Sequence, residues 1–110
     1  MTTLRFSNGD LMPALGLGTW KSATDSVGAA VQAAVRMGYR HIDCAFIYKN
    51  EAEIGDALAA LIEEGVVRRD ELWITSKLWN TEQHPDDVRP AIEATLQALQ
   101  LTHLDLYLVH

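Results

Sequence analysis

Short apolar runs and amphipathic segments alternate along almost the whole chain, and this alternation limits the fold more than any other feature. Four runs read as buried strands: "ALGLGTW" (14–20), "YRHIDCA" (39–45), "ELWITSKLW" (71–79) and "LDLYLVH" (104–110). Between them lie three stretches with apolar residues at helical spacing. In "TDSVGAAVQAAVRMG" (24–38) these are Val27, Val31, Ala34 and Val35, and Gly38 suits a C-terminal cap. In "NEAEIGDALAALIEEG" (50–65) Ile54, Ala57, Leu58, Leu61 and Ile62 share one face. Asn50 with Glu53 predicts a capping box there, and Gly65 a stop. In "PDDVRPAIEATLQALQ" (85–100) Val88, Ile92, Leu96 and Leu99 face inward, and Pro90 fits only in a first turn. A hairpin, "LRFSNGDLMP" (4–13), precedes them all, with Asn8-Gly9 as its turn.

The order hairpin, β, α, β, α, β, α, β predicts an α/β fold with parallel strands joined by right-handed crossovers. Two architectures satisfy it, a small doubly wound sheet and the N-terminal half of a (β/α)₈ barrel. A whole barrel takes roughly 250 residues, so four strands in 110 residues fit one half. A net charge of −6 argues against nucleic acid and anionic membranes as partners. No apolar run approaches the ~20 residues that span a bilayer, and "MTTLRFSNGD" has no apolar signal region. The single cysteine, Cys44, rules out an intramolecular disulfide and fits a reducing compartment. A cytoplasmic protein is expected.

"GLGTW" invites a dinucleotide reading, but Gly16-x-Gly18 lacks the third glycine, since Lys21 stands there. The plainer reading is a tight strand exit where small residues permit close backbone approach. The polar strand ends carry more. Asp43, Lys77 and His110 each sit at the C-terminal end of a hydrophobic strand, and Tyr48 lies in the loop after Asp43. Ligand sites of α/β sheets gather at those ends. Strand alternation places His41 and Ala45 with Asp43, Trp73 and Thr75 with Lys77, and Leu106 and Leu108 below His110, filling an interior. Ile42 and Cys44 then face the helices.

Taken singly, each polar residue has an ordinary reading: a loop-ordering carboxylate, a snorkelling lysine, a loop aromatic, a core histidine. A buried lysine beside a buried aspartate is different, because each is costly alone and tolerable as a pair. An ammonium near a phenol favours phenolate, and an unperturbed tyrosine titrates near 10. The set makes a general acid suited to protonating an alkoxide as it forms. It supplies no hydride, so a redox cofactor must. His41, His84 and His103 form no ligand set with Cys44, and no metal is expected.

"GLGTW", "GYRHIDCAFIYKNEAEIGDAL", "ELWITSKLWN" and "LDLYLVH" resemble, in that order and spacing, the N-terminal part of the aldo-keto reductases. The resemblance implies a (β/α)₈ barrel that binds NADPH without a Rossmann fold and reduces aldehydes and ketones to alcohols. It places the family's catalytic tetrad on Asp43, Tyr48, Lys77 and His110. Tyr48 would donate the proton, Lys77 with Asp43 would lower the phenol's pKa, and His110 would orient the carbonyl. Thr19, Trp20 and Asp43 match positions near the nicotinamide, and Trp20, Ile47, Trp79 and His110 match the substrate pocket. Phe46 and Ile47 fall where the family varies. Trp73 is expected to fill the barrel.

The resemblance also implies that residues 1–110 are a partial domain, because the family's later strands and most of its cofactor site are missing. A chain ending on His110, at a pocket mouth, reads as a cut. The complete parent is expected to be a monomer and the isolated chain to be inactive. The alternative is a non-catalytic half barrel that pairs with itself or with a complementary half.

Overall fold

In a computed structural model the structure describes residues 2–23 and 25–110. Strands β1 (Thr3–Arg5) and β2 (Leu11–Pro13) form the antiparallel hairpin. The remaining elements alternate: β3 (Leu17–Gly18), α1 (Val27–Arg36), β4 (His41–Asp43), α2 (Glu51–Glu63), β5 (Trp73–Leu78), α3 (Pro85–Leu99) and β6 (Leu106–Val109). The helix expected over 24–38 thus starts at Val27, and Thr24 lies outside the described residues. Gly38 and Gly65 follow the ends of α1 and α2 with φ of +110° and +77°, as their cap positions require.

The sheet order is β3-β4-β5-β6, parallel throughout. Strand order follows chain order without a reversal, so successive crossovers of one hand leave the helices on one face. A doubly wound sheet needs a reversal to cover its second face; this sheet has none and is the barrel type. The core reflects it. Ile42, Cys44 and Ile74 from the sheet join Val27, Val31 and Val35 of α1, Ile54, Leu58 and Leu61 of α2 and Leu99 of α3 in one buried cluster. Below the opposite face sits the hairpin. Phe6 meets Trp73 edge to face, with ring centroids 5.5 Å apart, and the Pro13 carbonyl lies 3.2 Å from His41 Nδ1. Trp73 is buried there, in the expected filling role.

Three local expectations fail for identifiable reasons. Asn50 does not cap α2. Its Nδ2 donates instead to the Thr19 carbonyl at 3.0 Å, and Glu53 Oε1 accepts from the Gly28 N–H of α1 at 3.4 Å. Tertiary partners outbid the local box. Pro90 lies inside α3 beyond the first turn, with Pro85 at the start. Pro90 and Asp86 are both exposed, so water can serve the carbonyl that the proline leaves without a donor. Leu106 and Leu108 do not fill an interior: Leu106 is half-buried and Leu108 is 41% exposed, because no facing wall covers that side of β6.

Helices α2 and α3 touch almost backbone to backbone at Gly55. A Cβ there would run into the Ala98 carbonyl oxygen and stand 2.8 Å from Leu99 Cα. Neither can yield without moving a helix. Gly55→Ala should therefore cost about 3 kcal/mol or more, at the upper end for overpacking, read as a lowered urea midpoint. Gly28→Ala meets only the flexible Glu53 side chain, at 3.3 Å, and should cost far less.

Candidate active site

The carboxyl ends of β4, β5 and β6 open on one rim, and each delivers a polar residue to it. Asp43 ends β4, Lys77 stands one residue before the end of β5, and His110 follows β6. After β4 the chain runs through buried, extended Ala45 into a single 3₁₀ turn, Phe46–Tyr48. Lys49 then takes a left-handed conformation, φ +60°, that reverses the chain into α2. Such a conformation is costly without glycine; here it brings Tyr48 back over the rim.

Lys77 Nζ ties the site together. It donates to Asp43 Oδ1 at 2.9 Å, to the Cys44 carbonyl at 3.0 Å and to Tyr48 Oη at 3.1 Å. An ammonium has three donors, and all three are used. Because the phenol oxygen accepts from Lys77, its own proton is left to be donated into the cleft. Burial by itself would push the Lys77 pKa down, but the hydrogen bonds to Asp43 and Tyr48, with their charges, outweigh it and hold it above the ordinary lysine value.

The other aromatic groups stand around this triad. Tyr48 and His110 meet edge to face with centroids 6.1 Å apart, and Trp79 meets His110 at 5.3 Å. Tyr48, His110, Trp79, Trp20, Ile47 and Lys21 line one open cleft of about 590 Å³. Ile47 is thus in the cleft, whereas Phe46 turns away into a neighbouring groove with Trp79 and Tyr107. Thr19 is wholly buried, and its Oγ1 donates to the Asp43 carbonyl at 2.7 Å. It reaches the site by fixing Asp43. Gly16 matters as a close approach, since a Cβ there would sit 2.9 Å from His41 Cγ; Gly18 has open space beside it.

One group was not singled out by sequence reasoning. Glu51, in the first turn of α2, is buried, and its carboxylate accepts from Ser76 Oγ at 2.6 Å and from Thr95 Oγ1 at 3.0 Å. The signal was available. Glu51 shares the buried face of Ile54, Gly55 and Leu58, and Ser76 and Thr95 fall on the helix-facing and sheet-facing sides of their own elements.

The raised Lys77 pKa has a definite consequence for stability. The ammonium contributes below the unfolded-state pKa of about 10.4, and that contribution is lost as pH rises through the higher folded-state value. Wild type should therefore lead Lys77→Met in thermal midpoint at neutral pH. The lead should shrink above about pH 10.4; a gap constant across the alkaline range contradicts the pairing.

The model of the Aldo/keto reductase family matches residues 14–110. An aldo/keto reductase of Synechocystis is 64% identical over 104 residues, covering 94% of this chain and 32% of the relative. Aldo-keto reductase family 1 member A1 of Sus scrofa is 58% identical over 103 residues, covering 93% of this chain and 32% of the relative. Among solved structures, the aldose reductase of Schistosoma japonicum superposes with a TM-score of 0.96 at 52% identity, over all of this chain and 36% of that one. A Bombyx mori aldo-keto reductase in complex with NADP gives 0.95 at 38% identity, over 99% of this chain and 38% of that one. The chain spans about a third of the length of the curated relatives it matches. With its parallel sheet in sequential order, it is a partial (β/α)₈ barrel and belongs to the aldo/keto reductase family.

Proposed function

We propose that this chain is the proton-donating part of an NADPH-dependent carbonyl reductase whose barrel is completed by further strand–helix units. The observation that carries the reading is the Lys77 ammonium, which holds the Asp43 carboxylate and the Tyr48 phenol within hydrogen-bond distance at one cleft. Tyr48 donates its proton to the carbonyl oxygen of an aldehyde or ketone as negative charge develops there. Lys77 stabilises the phenolate left behind, and Asp43 keeps Lys77 charged and aimed. His110, set across from Tyr48, orients the same oxygen, and Trp20, Ile47 and Trp79 wall the substrate.

When bound, the nicotinamide cofactor supplies the hydride, which no side chain can. The residues present fit the reactive end of such a cofactor. The Asp43 side chain is still 40% exposed while paired with Lys77, which leaves it reachable from solvent at the strand rim. Thr19 fixes Asp43 from behind, and Trp20 stands on the rim, 66% exposed.

In a complete barrel, Tyr48→Phe should lower kcat by roughly 10²–10⁴ while NADPH affinity stays nearly unchanged, as checked by steady-state kinetics and fluorescence titration. A large loss of cofactor binding contradicts the assigned role. The 110-residue chain alone should show no carbonyl-dependent oxidation of NADPH. Turnover by the pure chain that Tyr48→Phe abolishes would show that the rest of the barrel is dispensable.

A second reading concerns the chain by itself. Strand β6 is a sheet edge on which Leu108 and Val109 are 41% and 73% exposed, and such edges recruit partners. The chain by itself should self-associate, giving a sedimentation mass of a dimer or more. Leu108→Lys with Val109→Lys should return it to monomer; a monomeric wild-type chain at high concentration removes this reading.

A further inference from the structure

Glu51 is a carboxylate without an evident reason to be where it is. It lies in the core between sheet and helices, where an ionised group is expensive. Burial raises its pKa, and the Ser76 and Thr95 hydroxyls and the Lys77 charge only partly oppose this. The sign follows. A carboxyl raised above its unfolded value of about 4.3 favours the fold below that pH, and the benefit is lost as pH climbs through the folded value. Its ionisation therefore works against stability.

Its connections are specific. Glu51 follows Tyr48 by three residues, at the start of the helix that the Tyr48 turn feeds. Ser76, which donates to it, is the residue before Lys77 on β5, and Thr95 anchors the other oxygen from α3. The carboxylate therefore bolts the segment carrying Tyr48 to the strand carrying Lys77. We propose that Glu51 is a positioning residue for the proton donor: through Ser76 on β5 and Thr95 on α3 it clamps the Tyr48 turn against the strand that carries Lys77.

The ionisable groups coupled to Glu51 lie across the sheet: Cys44 just after β4, Lys77 on β5 and Tyr107 on β6. Burial first, and the Glu51 charge second, push the Cys44 thiol and the Tyr107 phenol up, so both remain neutral near pH 7. Asp43 and Glu82 add to these effects at Cys44 and Tyr107 respectively. Lys77 is thus the cation that answers Glu51. By linkage the attraction that opposes the rise at Glu51 must also favour the Lys77 ammonium, although the dominant influences on Lys77 are burial and its bonds to Asp43 and Tyr48.

The inference rests on the proposed Asp43–Lys77–Tyr48 acid, so its test separates the two and needs no turnover. The Lys77 side chain is titrated by NMR in the 110-residue chain. Glu51→Gln keeps the shape and can still satisfy both hydroxyls. It should lower the Lys77 midpoint while leaving the thermal midpoint at neutral pH no lower than wild type. Glu51→Ala should also lose the nuclear Overhauser contact between the Tyr48 ring and Lys77, whose Nζ lies 4.8 Å from the ring centroid. Asp43→Asn is the reference and should lower the Lys77 midpoint further. A shift with Asp43→Asn but none with Glu51→Gln, or a Tyr48 contact retained in Glu51→Ala, overturns the role of Glu51 and leaves the acid standing. No shift in either charge variant overturns both. If Glu51→Gln does not fold, the Glu51 midpoint is compared between wild type and Lys77→Met. It should rise when the lysine charge is removed, and an unchanged value overturns the coupling.

Discussion

Parallel strands cannot be joined by tight turns, and the structure depends on that constraint. Each strand of β3-β4-β5-β6 must be reached by a crossover, and the sequential order leaves α1, α2 and α3 sharing one core with the sheet. Every strand then finishes on the same rim. A residue placed just after an apolar strand is thereby delivered to a common mouth, whatever the sequence distance between the strands. Asp43, Lys77 and His110 are scattered over most of the chain and meet for this reason alone. The near contact of α2 and α3 at Gly55 brings those helices close enough for Glu51 and Thr95 to bond.

At the rim, the governing cost is desolvation. Lys77 is mostly buried, with its side chain 13% exposed, and burial by itself disfavours its charge. Its three donors meet a carboxylate, a carbonyl and a phenol, so the fold keeps the charge inside by pairing it with the very groups of the proposed acid. The same residue stabilises the site and tunes it. Glu51 adds a second carboxylate on the far side of the sheet, where Ser76 and Thr95 compensate it in part.

The side of the sheet away from the helices is covered only in part. The hairpin covers its lower end through Phe6, Trp73, Pro13 and His41. Toward β6 the cover fails, and Leu108 meets solvent. In a closed barrel such strands have neighbours on both edges and side chains from opposite strands filling the space between. Here Asp43, Tyr48, Lys77 and His110 share one rim, held by the strands, the helices behind them and the short 3₁₀ turn.

The sequence by itself determined the element order, the three helices, the hairpin, the parallel arrangement and the rim positions of Asp43, Lys77 and His110. All of these follow from local periodicity and from the two-residue repeat of a strand, which a linear reading captures. It left open whether the sheet was doubly wound or barrel-like, and that choice belongs to the strand order. Only the tertiary structure decided where Asn50 and Glu53 bond, that water tolerates Pro90 inside α3, that Phe46 leaves the cleft while Ile47 enters it, and that Leu108 is uncovered. It also decided that Glu51, Ser76 and Thr95 form one buried network. Each of these depends on which distant group arrives within hydrogen-bond reach, and a side chain's partners across 25 or 44 residues of sequence are fixed by packing rather than by local pattern.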